Sequence, residues 1–230
     1  MKKYFRTPDD PVQAGSVYSE KVAPGVHVGN WTGKILVGPE CEFAKHQLGT
    51  INSERLQVVP LVYEPQGVTL KHTHPEHNQA YYVVFGEALV MVDDSEIILK
   101  PGDSIFILGT TPHGFRNIGT EPLTLLDVHN YQFPDVSCSE MGIATLLYGS
   151  GGGSKNHLLL DRELAYYVVA GLVDFWVGDE TATLGPGSVA FIPRAQPHSF
   201  RNATREQLRM ISIISYDVPL PENESKSYTN

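Results

Sequence analysis

The chain has 230 residues, 41% of them hydrophobic, and 17 basic against 26 acidic side chains give a net charge of −9. That length suits one large or two small domains with an ample core, and the acidic balance argues against nucleic acid and anionic membranes as partners. No run approaches the roughly 18 apolar residues of a membrane span, and the N-terminal residues lack the apolar segment of a signal peptide. Two cysteines, Cys41 and Cys138, make no disulfide framework, so a reducing, cytoplasmic setting is expected.

Residues 1–33 are punctuated by Pro and Gly and read as an arm packing on the body of the protein. Lys34–Val37 and Phe43–Leu48 are short strand candidates, and Arg55–Tyr63 is a longer one. The stretch from Gly67 to Asn117 holds the densest chemistry. His72 and His74 are two apart, so an extended strand sends both side chains from one face. Pro75-Glu76-His77-Asn78 is turn chemistry, with His77 expected in solvent. Gln79 opens a strand-like run that ends at Gly86, Pro101-Gly102-Asp103 marks another turn, and His113 follows the bend at Thr111-Pro112. Three imidazoles and one amide oxygen, from His72, His74, His113 and Gln79, can converge on one point inside a small barrel. Gln79 either completes the ligand set or hydrogen-bonds to it. Imidazole suits Fe, Ni, Zn and Cu, while oxygen ligands are shared with Mn and Mg. Tyr81 and Val83 share parity with Gln79, as Phe115 does with His113, so these three line either the pocket or the core. His27, His46 and His129 have no motif context and read as ordinary histidines. Leu123–Val128 closes the first unit.

The chain then repeats itself. His157 lies 85 positions after His72, and that offset holds without a gap from Leu61 and Leu146 to Asn117 and Asn202. Ala80-Tyr-Tyr-Val-Val84 recurs as Ala165-Tyr-Tyr-Val-Val169, Pro112-His113 as Pro197-His198, and Phe115-Arg116-Asn117 as Phe200-Arg201-Asn202. Two copies of one supersecondary unit are implied, built from short strands and turns with scarcely any helical periodicity. The fold class expected is all-β: two tandem small β-barrels, with a metal-bearing barrel over 34–132, a linker near 133–144, a degenerate barrel over 145–218 and a polar tail over 219–230. The second copy also acts as an internal control. His72 and His113 have partners in His157 and His198, but His74 faces Leu159 and Gln79 faces Leu164. Two imidazoles without further ligands make a poor metal site, so the second barrel is expected to be structural. Arg116 and Asn117 occur in both copies and therefore read as scaffold.

Gly67, His72, His74, Gln79, Gly86, Gly102, His113 and Asn117 together resemble the two motifs of the cupin superfamily, G-x5-H-x-H-x3–4-E-x6-G and G-x5-P-x-G-x2-H-x3-N. One residue fewer follows Gly67, the usual glutamate is Gln79, and the internal P-x-G reads Leu108-Gly109-Thr110. The resemblance implies a bicupin of double-stranded β-helix, or jelly-roll, barrels and one divalent metal ion, Fe, Mn, Ni or Zn, in the N-terminal barrel.

Three neutral imidazoles and an amide leave a divalent charge uncancelled, which favours an anionic ligand such as a carboxylate, enolate or alkoxide. The chemistry expected is Lewis-acid, non-redox lyase or isomerase catalysis on a small carbonyl or carboxylate substrate. The ligand set is similar to that of the small cupins that linearise unsaturated uronate sugars. Ferrous three-histidine cupins use O2 instead, so a dioxygenase is the first alternative, and a non-catalytic small-molecule-binding protein is the second. Neither Glu76 nor Lys71 reads as a catalytic acid or base, since one sits in the turn and the other has parity opposite to His72. A homodimer formed by strand exchange through the arm is expected.

Overall fold

A computed structural model describes residues 3–10, 25–38, 51–53, 55–75, 77–131 and 140–216. Phe43–Leu48, His46, Glu76, Cys41 and Cys138 lie outside them. The described residues form strands and turns with no helix. The first part carries β1 (Phe5–Arg6), β2 (His27–Val28), β3 (Trp31–Gly33), β4 (Val37–Gly38), β5 (Ile51–Asn52) and β6 (Leu56–Tyr63). The first repeat continues with β7 (Val68–His72), β8 (His77–Phe85), β9 (Ala88–Val92), β10 (Ser95–Leu99), β11 (Ser104–Ile107), β12 (His113–Asn117) and β13 (Leu123–Tyr131). The second holds β14 (Glu140–Tyr148), β15 (Gly153–His157), β16 (Arg162–Ala170), β17 (Val173–Val177), β18 (Glu180–Leu184), β19 (Val189–Ile192), β20 (His198–Asn202) and β21 (Leu208–Tyr216). β14 begins at Glu140, inside the stretch read as linker.

Each repeat makes two facing sheets. In the first, the order β11-β8-β13-β6-β4-β5, with β3 also on β6, faces β10-β9-β12-β7-β2. In the second, β1-β19-β16-β21-β14 faces β15-β20-β17-β18. The arm serves both barrels. β2 and β3 extend the first, whereas β1 pairs with β19 of the second, Phe5 opposite Ala190.

The central strands are apolar on both faces, and the packing explains why. Along β13, Leu123 and Leu125 turn into the first barrel with Tyr81, Val83 and Phe115. Leu126 and Val128, on the other face, meet Ala165, Tyr167, Phe191 and Ile213 of the second barrel. The two barrels share an apolar interface, and Glu163 of β16 reinforces it by accepting hydrogen bonds from the Ser53 hydroxyl at 2.7 Å and the Arg55 amide at 3.1 Å. At about 25 cal/mol per Å² of apolar surface buried, this shared layer contributes to the stability of both barrels. The repeat extends to turn geometry: Gly86 and Gly171 end β8 and β16 with φ of 84° and 86°. A side chain at Gly86 would also press on the Pro122 carbonyl.

Candidate metal centre

The site sits inside the first barrel, where β7, β8, β12 and β13 face one another. His113 of β12 lies opposite His72 of β7, but the next aligned pair is Phe115 with Thr69, so Leu70 and Lys71 bulge against Gly114. The bulge lets Thr69 and His72, three apart, both point inward. The second barrel repeats it between Ser154 and His157, which makes the bulge a property of the scaffold.

His74 does reach the same point as His72, but not by strand alternation. β7 ends at His72, and the loop beyond is pinned to Gly109, whose carbonyl accepts the His74 amide hydrogen at 2.7 Å. The Gly109 amide in turn donates to Asn78 Oδ1 at 3.2 Å. A Cβ at Gly109 would fall 2.1 Å from the carbonyl oxygens of both His74 and His77, so only glycine allows this approach. Here lies the reason for glycine in Leu108-Gly109-Thr110.

The ligand atoms converge. His72, His74 and His113 form, among the described residues, the one group of His, Cys, Asp or Glu whose ligand atoms all lie within 4.8 Å of one another. His72 Nε2 is 2.7 Å from His74 Nε2, and His113 Nε2 is 2.5 Å from Gln79 Oε1. Tautomers follow from the partners. His72 Nδ1 lies 2.8 Å from the Leu70 carbonyl and His113 Nδ1 2.7 Å from that of Thr111. A carbonyl only accepts, so each Nδ1 donates and each neutral ring turns a bare Nε2 lone pair inward. His113 Nε2 then meets Gln79 Oε1 lone pair to lone pair. Reversing the amide would cure that contact only by setting Oε1 against the Asp127 carboxylate, because Gln79 Nε2 now donates to Asp127 Oδ1 at 2.7 Å. A cation between these atoms would give both lone pairs an acceptor, so the residues fit a metal ion. Burial supports neutral rings: it lowers the pKa of His72 and of His113, and that of His74 to about 2, helped there by the neighbouring imidazoles of His129, His77 and His72.

Two further histidines belong to the site. His77, expected in solvent, opens β8 with the parity of Gln79 and is buried at 6% exposure. His129 lies opposite Gln79 across β8 and β13. Their rings form a column, His74 to His77 at 4.5 Å and His77 to His129 at 4.5 Å between centroids. Burial takes the pKa of His77 to about 2. His129 Nε2 donates to Asp127 Oδ1 at 3.0 Å. Burial pushes the Asp127 carboxyl up, but His129 and the hydrogen bonds from His129 and Gln79 outweigh it and hold it below the usual carboxylate range. The Asp127 carboxylate thus lies one hydrogen bond behind Gln79, a buried acidic group beside the neutral imidazoles and amide. Tyr81, Val83 and Phe115 are fully buried in the apolar cluster, where the Tyr81 ring lies 6.2 Å from that of His113 and 5.2 Å from that of Phe115. His27, the remaining histidine of this interior, stacks on Trp31 at 4.5 Å and bonds to the Tyr63 hydroxyl. Burial lowers its pKa to about 4.

The second barrel keeps half of this. His157 and His198 stand 4.3 Å apart between ring centroids, each with Nδ1 on a backbone carbonyl. Leu164 is buried in the apolar cluster with Leu159 packed against it, where the first barrel has Gln79 and His74.

The family model for the cupin domain matches the chain twice, over residues 61–129 and 145–214. The chain therefore belongs to the cupin family, as a bicupin. It is similar to an uncharacterised protein, MJ1618, of Methanocaldococcus jannaschii, 40% identical over 58 residues; the match covers 25% of this chain and 46% of that relative, less than half its length. Among solved structures, AerE from Microcystis aeruginosa superposes with a TM-score of 0.71 at 15% identity, covering 93% of this chain and 99% of that one. A formate complex of oxalate decarboxylase from Lactobacillus farciminis gives a TM-score of 0.71 at 12% identity, covering 95% and 87%. At these identities the two structures share the fold.

Proposed function

We propose that the protein is a metal-dependent enzyme of lyase or isomerase type, acting on a small carbonyl- or carboxylate-bearing substrate by non-redox chemistry, with one divalent ion held by His72, His74, His113 and Gln79. The observation that carries this reading is the lone-pair conflict at Gln79 Oε1 and His113 Nε2, which a cation relieves. A divalent ion there supplies Lewis acidity, polarising a carbonyl oxygen and stabilising negative charge that develops on it. The chain does the rest. The Leu70 and Thr111 carbonyls fix two imidazoles with Nε2 inward, and the Gly109 contact sets the third. The ligands are themselves neutral, and the Asp127 carboxylate behind Gln79 offsets only one unit of a divalent charge, so the substrate side of the site favours an anion. The oxalate decarboxylase of similar fold, solved with formate, is consistent with a small carboxylate as the class of substrate.

The same three imidazoles suit ferrous O2 chemistry, and one experiment separates the two readings. Metal-loaded protein is incubated with a panel of small keto acids, hydroxy acids and unsaturated uronates, with and without oxygen. Metal-dependent turnover that proceeds anaerobically is the expected result. Product formation with stoichiometric O2 uptake would overturn the non-redox reading, and binding without multiple turnover would overturn the enzyme.

A further inference from the structure

We propose that Asp127 is the positioning residue that makes Gln79 a metal ligand: it holds the amide with Oε1 toward the three imidazoles and supplies, one hydrogen bond away, the negative charge that the ligand set lacks. This inference rests on the metal-dependent function proposed for the first barrel. An amide has two ends that differ in chemistry but scarcely in shape, so its neighbours decide which end faces the ion. Asp127 Oδ1, 2.7 Å from Gln79 Nε2, accepts only. His129 Nε2, 3.0 Å from the same Oδ1, donates to the carboxylate beside the amide and fixes it in turn. Asp127, Gln79 and His129 are all buried, so water does not compete for these bonds. In the cupin motif that Gln79 departs from, a carboxylate stands at this position. Here the carboxylate has moved one residue back from the ion and acts through the amide.

The internal repeat separates this role from scaffold. Gln79 pairs across the sheet with His129, and Tyr81 with Asp127. The same registers in the second barrel pair Leu164 with Ile214 and Tyr166 with Ser212. The tyrosine, a core residue, is kept in both. Gln79, Asp127 and His129 are replaced together in the barrel that also lacks the counterpart of His74. A hydrogen-bonded unit that serves only to hold the barrel would have no reason to follow the imidazoles.

An exchange of carboxylate and amide tests this. The apparent Kd of full-length protein is measured for Mn2+, from the EPR signal of free ion, and for Zn2+, by competition with a chromophoric chelator. Thermal melts of each metal-free variant report folding. Asp127→Asn is expected to weaken binding about 10- to 100-fold, the usual range for residues that orient a ligand. Gln79→Glu alone is expected to weaken it also, because two carboxylates would then abut. In the double variant Gln79→Glu/Asp127→Asn, the amide introduced at position 127 donates to the carboxylate introduced at position 79, whose other oxygen faces the ion. Binding within about threefold of wild type is expected there, by the non-additivity of coupled pairs. If Asp127→Asn does not fold, Asp127→Ser, which places the second barrel's residue in the first, is expected to give the same loss. Wild-type affinity in Asp127→Asn, or a double variant that loses the product of both single effects, would overturn the positioning role while leaving the metal site standing. A wild type that binds neither ion would overturn both.

Discussion

The metal-free protein should be labile to mild acid, by an amount that follows from its buried imidazoles. His74 and His77 have pKa values lowered to about 2 and His27 to about 4, each chiefly by burial. All three remain neutral in the fold at about pH 5.5, whereas the unfolded chain titrates near 6.5. A depressed imidazole pKa contributes stability that is present above the unfolded value and lost as pH falls below it. One unit below that value, each such group costs about 1.4 kcal/mol. The three together take away about 4 kcal/mol between about pH 7.5 and 5.5, a large part of the roughly 5–15 kcal/mol typical of a folded domain. His72, His113 and His198 shift in the same direction and add to the loss. Urea titration of chelator-treated protein at the two pH values, followed by tryptophan fluorescence, measures it directly. His77→Gln should remove about 1.4 kcal/mol of that difference. A change below about 1 kcal/mol in the wild type would mean that these rings are hydrated or already protonated in the fold, and would refute the reading of a dry, neutral cluster.

Gly109→Ala should strip the protein of divalent metal and cost about 1–3 kcal/mol or more, because the added methyl displaces the His74 and His77 carbonyls; elemental analysis and a thermal melt check this. His157→Ala and His198→Ala should leave divalent metal content unchanged, since Leu159 and Leu164 stand where the first barrel has His74 and Gln79; loss of metal from either folded variant would contradict the division of labour between barrels.

Most of the scaffold was legible in the sequence, because it is written twice. The offset between copies carries turns, core tyrosines and inward histidines alike, and no packing knowledge is needed to see it. The imidazole triad was legible through spacing. His77 was misplaced in solvent because Pro75 and Asn78 read as a turn, while the strand begins at His77 itself with the parity of Gln79. His129 and Asp127 were missed for a different reason. They sit at alternate positions of a strand far along the chain from Gln79, and only strand pairing brings them beside it. The signal that could have found them was present: their counterparts in the second copy are Ile214 and Ser212, the same contrast that singled out His74 and Gln79. Glycine at position 109 was read as a motif departure, whereas its reason, the approach of two carbonyls from a loop distant in sequence, exists only in three dimensions.

The central claim is a single divalent metal site in the first barrel, and metal stoichiometry tests it most directly. Elemental analysis of wild-type protein and of His74→Ala, both purified without added chelator and shown to be folded, should give about one divalent ion per chain in the first and none in the second. Full occupancy in His74→Ala, or two ions per chain in the wild type, would contradict it.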